Sequence, residues 1–282
     1  MPLERQKAFD WKIALYLFFG GTGGGLFFNG FILDRFNLLV SAARSAQFLG
    51  PLFVGLGCLF LLLHAGSGFK TKIHLLFLRP GTSWISRGTW IITIFLLSSL
   101  LTVGLERGSS IGWVAVVFSV LMTIYPGILL SENKAIPFWR TPILPILFFF
   151  SGLSSGLAVL LLMVPFLSTP HDATLALALP VLSWYDLAII CMQLIILWTY
   201  LGANAKKEIT ISESLRLMKR PLFIVGTLIL GLFLPLLLHL FVIAGGEPQG
   251  LVVITGVLLV IGGISLRFSV IKAGVYLPRH SL

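Results

Sequence analysis

The sequence contains little charge, and most of that charge has one sign. Charged residues make up 11% of the 282 residues, with 20 Lys and Arg against 10 Asp and Glu. A soluble domain carries about 25% charged residues. The longest polar stretch, from Asn204 to Arg220, is too short to fold by itself. These shortages exclude a soluble enzyme and a separate soluble domain.

Residues that hold redox metals are also scarce. Cys58 and Cys191 are the two cysteines, and both lie in apolar runs without a CxxC spacing. This excludes an all-cysteine iron–sulfur site and a disulfide framework. Of the five histidines, His64 and His239 lie in predicted spans, at opposite ends of the membrane, so they cannot share one iron. We therefore expect no haem and no metal in this chain.

Hydrophobic residues are abundant, at 57% of the chain, and they form eight long runs. About 20 apolar residues cross a bilayer as a helix, and runs of this length are too long for the strands of a barrel. The sequence predicts an all-α integral membrane protein, residues 1–282 forming a single polytopic domain. The predicted spans lie near 13–33, 48–68, 88–105, 111–130, 142–167, 181–202, 221–244 and 250–271.

Two glycine motifs suggest an internal repeat. Gly21-xxx-Gly25 in the first span and Gly152-xxx-Gly156 in the fifth each follow a phenylalanine pair. Small residues at this spacing let helices approach closely. The motifs favour a four-plus-four arrangement of two four-helix bundles. The alternative, a coincidence of small residues and phenylalanines, stays open.

Basic residues predict the orientation. If the loops alternate between two sides, seventeen of the twenty Lys and Arg fall on the side that holds both termini. The exceptions are Arg35, Arg44 and Arg107. Positive residues concentrate in cytoplasmic loops, so we expect an inner (cytoplasmic) membrane protein with both termini in the cytoplasm. A basic face that recruits an acidic partner is the other explanation, and both causes can act together. Nucleic acid is not expected, because these residues flank apolar helices.

Ionisable and aromatic polar residues within the spans are the candidate site residues, because such groups are expensive in lipid. Tyr16, His64 and Tyr125 are predicted to lie near the membrane boundary on the side that holds both termini. They can supply hydrogen-bond donors and a proton source to a quinone near that interface, and histidine titrates near neutral pH. The ordinary alternative is also open, since tyrosine is enriched at membrane interfaces in any case.

Several segments resemble one membrane-protein family. Residues 79–90 (RPGTSWISRGTW) and 125–130 (YPGILL), followed by Pro137-Phe138-Trp139, are similar to two elements of polysulfide-reductase-type membrane subunits, the NrfD-like family. Residues 151–156 (SGLSSG) continue the second element. Residues 262–267 (GGISLR) resemble the last helix of the family, and Trp11 to Gly25 resembles the first.

The resemblance implies an eight-helix, haem-free membrane anchor that interacts with quinone. Such subunits dock a ferredoxin-like iron–sulfur subunit, which contacts a molybdopterin or other catalytic subunit. Electrons pass between its clusters and a menaquinone-type quinone. We expect this chain to be a subunit of a respiratory oxidoreductase, not catalytic alone, with proton translocation as a further expectation. A secondary transporter with a midplane substrate site and an inert membrane anchor remain the alternatives.

The resemblance also implies roles for individual residues. Tyr125 matches a tyrosine that hydrogen-bonds quinone, and Tyr16 and His64 fall at polar positions of the same site. Arg267 matches an arginine of the last helix and is expected to complete the quinone-binding set. Asp186 lies where relatives carry an ionisable group linked to proton movement. To this proton path we add Glu106 and His239 from their predicted depth. In the family the docking face bears both termini, and in many relatives the catalytic subunits are exported, so that this face lies outside the cytoplasm. The charge pattern here instead predicts that it lies in the cytoplasm.

Overall fold

The computed structural model describes residues 3–65, 81, 83–104, 110–167, 173–204, 208–245 and 249–276. Eight of its helices are long and apolar enough to cross a membrane, which confirms the predicted fold class. These helices are α1 Trp11–Arg35, α2 Val40–Ala65, α3 Trp84–Gly104, α4 Ser110–Ser131, α5 Ile143–Leu167, α6 Ala173–Asn204, α8 Leu222–Ile243 and α9 Gln249–Lys272. The short helix α7, Ile209–Met218, precedes α8.

Helix α8 has an unusual first half. Residues Leu222–Phe233 form a π-helix, and Leu234–Ile243 continue as an ordinary α-helix. In a π-helix, each amide bonds to the carbonyl five residues earlier. Such turns are rare in proteins, but those that occur are often found at functional sites. The helix therefore presents its first-half side chains in a register that an α-helix would not give.

The two ends of the chain meet at one face. Strand β1, Glu4–Arg5, pairs antiparallel with strand β2, Val275–Tyr276. The Gln6 side chain adds a hydrogen bond to the Ile271 carbonyl oxygen at 3.1 Å. We call this side the terminal face and the other side the opposite face. A chain with an even number of spans has both termini on the same side of the membrane, and the pairing of β1 with β2 agrees with this.

The spanning helices form two four-helix groups. In the first bundle, α1, α2, α3 and α4 contact one another in a ring, and in the second bundle α5, α6, α8 and α9 do the same. The two bundles meet mainly through α1 and α5, with further contacts of α4 to α5 and α1 to α9. Helix α1 is consequently the most enclosed span.

Glycines make the contact between the bundles possible. A Cβ atom on Gly25 would lie 2.1 Å from the Gly152 carbonyl oxygen, and one on Gly156 would lie 2.3 Å from the Gly25 carbonyl carbon. The two motifs of the sequence thus pack directly on each other. Without a hydrophobic force between helices in lipid, close backbone approach is a main source of association. Large apolar side chains such as Trp198 and Phe166 point outward instead.

Candidate functional site

The first bundle contains a buried tyrosine pair near the terminal face. Tyr16 on α1 is 1% exposed and Tyr125 on α4 is 3% exposed. The Tyr16 hydroxyl lies within electrostatic range of the Tyr125 hydroxyl and of the Cys58 thiol on α2. We call these three residues, with Gly88 on α3, the tyrosine site. All four helices of the bundle contribute to it.

Gly88 is required by the position of the Tyr125 ring. A Cβ atom at Gly88 would lie 1.9 Å from Cζ of Tyr125 and 2.1 Å from its hydroxyl oxygen. The phenol therefore rests against the bare backbone of α3, and this holds its hydroxyl at a fixed place. Within the described part of the chain, neither Tyr16 nor Tyr125 forms a side-chain hydrogen bond. Two phenol donors are thus available to a bound acceptor.

His64 lies at the edge of the first bundle. Its Nδ1 atom is 3.0 Å from Oδ1 of Asp10, and the Lys12 amine is 3.8 Å from Oδ2 of Asp10. His64 follows Cys58 by six residues on α2, which is about 9 Å along a helix axis. The imidazole is 29% exposed. His64 therefore lies between the tyrosine site and the water at the terminal face.

Asp10 holds this group together. Its carboxylate caps the N-terminus of α1 by accepting hydrogen bonds from the Lys12 and Ile13 amides at 3.0 and 3.4 Å. Burial alone would raise the pKa of Asp10, but the Ile13 amide and the charge of His64 outweigh it and hold the pKa below its usual value. Asp10 is therefore ionised at neutral pH and fixes the orientation of the imidazole.

Arg267 lies in the second bundle, apart from the tyrosines. It is fully buried on α9, and its Nη1 atom donates to Ser151 Oγ and, at 3.1 Å, to the Gly263 carbonyl oxygen. Its guanidinium carbon is 5.4 Å from the centre of the Phe148 ring and 6.0 Å from that of Phe18. Phe18 follows Tyr16 by two residues, so it points to the other side of α1. The structure thus separates Arg267 from Tyr16.

Asp186 and His239 form a buried pair in the second bundle. Oδ2 of Asp186 on α6 is 2.9 Å from Nε2 of His239 on α8, and Ser154 on α5 donates to Oδ1 at 2.9 Å. Asp186 is 0% and His239 is 4% exposed. The two predicted proton-path residues are therefore in direct contact. Glu106, the third, lies outside the described residues.

Sequence reasoning did not single out Asp10 or Ser151 as partners of these residues. Asp10 precedes an apolar run, which is a capping signal at a helix start. Ser151 and Ser154 are three residues apart and so lie on one face of α5. Those spacings mark them as candidates, but only the packing of the helices shows which groups they contact.

Metal ligands are not grouped in the described ranges. Across those residues, no three His, Cys, Asp or Glu side chains lie close enough to hold a metal ion. Besides hydrogen bonds, the charged and titratable groups buried in the described interior include Arg267, the Asp186–His239 pair and, near the opposite face, Asp34, whose Oδ1 is 3.8 Å from Nε of Arg44.

Comparison with known proteins gives one consistent result. Residues 3–278 match the family model described as "Polysulphide reductase, NrfD". The chain is 31% identical to Protein NrfD of Escherichia coli, and the match covers 94% of both proteins. It is 24% identical to the C chain of polysulfide reductase from Wolinella succinogenes, over 94% of this protein and 93% of the relative.

A third relative, the Protein NrfD homolog of Haemophilus influenzae, is 23% identical over 94% of both proteins. The match to the family model runs from the first strand through the last helix, so it includes both bundles and every site described above. The chain belongs to the polysulphide reductase NrfD family of multi-pass membrane proteins.

Proposed function

We propose that this chain is the haem-free, quinone-binding membrane subunit of a respiratory oxidoreductase. It passes electrons between the quinone pool of the membrane and an iron–sulfur subunit docked at the terminal face. The observation that carries the proposal is the tyrosine site. Tyr16 and Tyr125 bring two phenol donors together near the membrane boundary, and the described residues leave both without a hydrogen-bond acceptor.

The tyrosine site fits a quinone by its donor set. A quinone has carbonyl acceptors and no strong donor, and two phenols supply the complementary donors. When bound, a quinone supplies two-electron, two-proton redox chemistry. Tyr125, held against Gly88, would fix one ring oxygen, and Tyr16 would donate to the other or through a water. The enclosing apolar helices keep bulk water from the ring.

His64 and Asp10 support proton exchange with the terminal face. His64 is partly exposed and is held by Asp10, so its imidazole can take a proton from water and hand it inward. Asp10 stabilises the charged imidazole while it holds the proton.

The relatives support a multi-subunit setting. The polysulfide reductase relative is by its name one polypeptide of a larger enzyme. We infer that this chain likewise docks a ferredoxin-like iron–sulfur subunit and, through it, a molybdopterin or other catalytic subunit. The described basic residues Arg5, Arg220 and Lys272 line a cavity of about 400 Å³ on the terminal face, and they favour an acidic partner surface.

A proton path through the second bundle belongs to the same proposal. Asp186 and His239 would form its core, with Glu106 toward the opposite face. Arg267, carried over from the family as a quinone ligand, remains a prediction in that role. Its position across α1 from Tyr16 favours a part in the polar path of the second bundle instead.

The orientation of the chain is part of the proposal as well. The distribution of Lys and Arg supports termini in the cytoplasm and hence cytoplasmic catalytic partners. Fusing a reporter that is active only in the cytoplasm to each terminus tests this. We expect activity from both fusions. Activity from neither, with a periplasmic reporter active instead, would contradict the orientation.

The quinone proposal is tested on the native complex, purified through a tag on this chain. We expect extractable quinone in the complex, and a Tyr125→Phe variant whose quinol-linked turnover falls roughly tenfold, as loss of one hydrogen bond of about 1.4 kcal/mol implies. Tyr185→Phe is the matched control, because the Tyr185 hydroxyl, on α6 of the second bundle, already donates to Asn29 at 3.0 Å. A complex without quinone and with unchanged Tyr125→Phe kinetics would indicate an inert anchor.

A further inference from the structure

Helix α5 places two hydrogen-bond pairs one turn apart. Ser151 accepts from Nη1 of Arg267, and Ser154 donates to Oδ1 of Asp186. Residues three apart lie on one face of a helix. The arginine of the terminal half and the Asp186–His239 pair toward the opposite face are therefore joined to the same face of one helix. No described side chain bridges the two serines directly.

A small polar cavity lies beside these serines. Its volume is about 10 Å³, and it is lined by Ser151, Ser154, Ser155, Gln193 and Thr227, with apolar and glycine residues of α8 and α9 behind them. About 10 to 15 Å³ measured in this way accommodates one water molecule. A cavity of this size with several polar partners meets both conditions for a buried water.

Two residues that line this cavity carry unpartnered polar atoms. Nε2 of Gln193 and Oγ1 of Thr227 are buried and form no hydrogen bond with the described residues. Both side chains are at most 3% exposed. Nε and Nη2 of Arg267, whose Nη1 bonds the cavity serine Ser151, are likewise unpartnered. Buried polar groups are almost always hydrogen-bonded to protein or ordered water, so these atoms indicate a missing partner.

The Thr227 hydroxyl lies in the π-helical half of α8 and is not satisfied by its own helix. Thr93, Thr102 and Thr199 lie in regular helices, and each hydroxyl donates to a carbonyl three or four residues earlier. Thr227 lies in the π-helical half of α8, and its hydroxyl has no such bond. Thr227 lines the cavity, so its unpartnered hydroxyl is available to a molecule bound there.

We propose that the cavity holds an ordered water bound by Gln193 and Thr227, and that this water joins the Arg267–Ser151 pair to the Ser154–Asp186 pair. The result is a hydrogen-bonded link through the second bundle from Arg267 to His239. Gln193 and Thr227 are thereby positioning residues of the proton path. That last step rests on the proposed function, whereas the water itself does not.

The sign of a stability change tests the water. Replacing a hydroxyl that binds water by an apolar group of equal shape removes a bond and strands the partners, whereas replacing an unsatisfied one removes a desolvation penalty. We expect Thr227→Val to lower the thermal midpoint of the purified native complex by at least as much as the control Thr199→Val, which loses a bond to its own helix. A midpoint that rises above wild type overturns the proposal.

A density map that resolves ordered water gives a direct second measurement. We expect a peak within hydrogen-bonding distance of Gln193 Nε2 and Thr227 Oγ1 in the wild-type complex, absent in Thr227→Val. An empty cavity in the wild type overturns the proposal even if the variant fails to fold.

Proton movement in proteoliposomes separates the water from its role. We expect Thr227→Val and Gln193→Leu to reduce quinol-driven proton translocation severalfold while quinone content stays at the wild-type level. If the water is present and translocation is unchanged, Gln193 and Thr227 are not part of the proton path, although the water site stands. If no quinone is bound in the wild type, it is the proposed function that fails.

Discussion

The tyrosine site of the first bundle and the polar groups at the centre of the second bundle differ in kind. The tyrosine site of the first bundle presents neutral phenols whose donors are unused, close to the terminal face. The second bundle buries a carboxylate, an imidazole and a guanidinium, and Ser154 and His239 both contact the carboxylate of Asp186. Neutral donors suit a carrier that must enter and leave, whereas a paired charge suits a permanent relay.

The boundary between the bundles sharpens this contrast. Arg267 and Tyr16 both contact or belong to α1, yet they lie on different sides of it. Helix α1, which packs closely against its neighbours through glycines, therefore separates the tyrosine site from Arg267. Under the proposed function, electrons are exchanged in one bundle and protons are moved in the other, so coupling must act across α1.

The largest expected effect comes from breaking the contact between the bundles. Gly25→Ala places a Cβ atom 2.1 Å from the Gly152 carbonyl oxygen, and backbone must move to relieve it. Overpacking of this kind costs about 1–3 kcal/mol, and more where only backbone can yield. We expect a strongly lowered thermal midpoint and poor yield. Gly55→Ala is the control, since its Cβ meets nothing within 4 Å. If the two variants had equal thermal midpoints and yields, the Gly25–Gly152 contact would not be what holds the bundles together.

The next effect concerns the second bundle alone. Asp186→Asn keeps the shape of the side chain but removes the charge that His239 faces. Hydrogen bonds to charged groups contribute about 1.5–3 kcal/mol, so we expect a lower midpoint and loss of proton translocation with quinone content retained. Asp34→Asn, in the first bundle at the opposite face, is the comparison variant. Quinone lost from Asp186→Asn but not from Asp34→Asn would show that the bundles are not separate.

A smaller effect is expected within the first bundle. Tyr16→Phe in a Tyr125→Phe background removes the second phenol donor, worth about 0.5–1.5 kcal/mol. If both phenols contact one quinone, the two changes should be coupled in a double-mutant cycle on the KM for quinol. Proton translocation per electron should be unchanged. Strict additivity would place the two tyrosines in separate contacts.

The smallest effect is expected at Asp10. Because the folded pKa of Asp10 is below its usual value, its ionisation stabilises the folded chain above that usual value, near 3.9. That contribution is lost as pH falls through the folded pKa. Asp10→Ala should lower the thermal midpoint at pH 7 by an amount that corresponds to about 0.5–1 kcal/mol, the contribution of a helix cap. It should also make the midpoint fall less steeply as the pH is lowered, which we call the acid limb of the stability profile. An unchanged acid limb would show that the ionisation of Asp10, with its amide and His64 contacts, contributes nothing to stability.

The sequence indicates where a residue lies along its spanning helix, but it does not indicate which side of the helix the residue occupies. Eight apolar runs and the family motifs were sufficient for the eight spanning helices. Tyr16, Tyr125 and Arg267 all lie toward the terminal face, as the sequence indicated. Which side of α1 each would contact depends on glycine packing with α2, α4 and α5, and no run of apolar residues encodes that.

Two elements were not predicted for related reasons. The stretch from Asn204 to Arg220 is the longest polar one in the sequence, and no helix is predicted there, but Ile209–Met218 within it forms the amphipathic helix α7. Ten residues give too few turns for a clear period against charged neighbours. The π-helical half of α8 consists of apolar residues that fit an ordinary span equally well, because hydrophobicity does not distinguish hydrogen-bond registers.

The pairing of β1 with β2 has a consequence for biogenesis. Residues 4–5 are synthesised long before residues 275–276, so their backbone groups stay unmatched until that segment has been made. Gln6 likewise bonds to Gly274 and Ile271, which lie equally far along the chain. Under the proposed function, the face offered to other subunits therefore closes only after residues 271–276 have been made. A polypeptide that stops before them would lack this closure, even with most of its spanning helices in place.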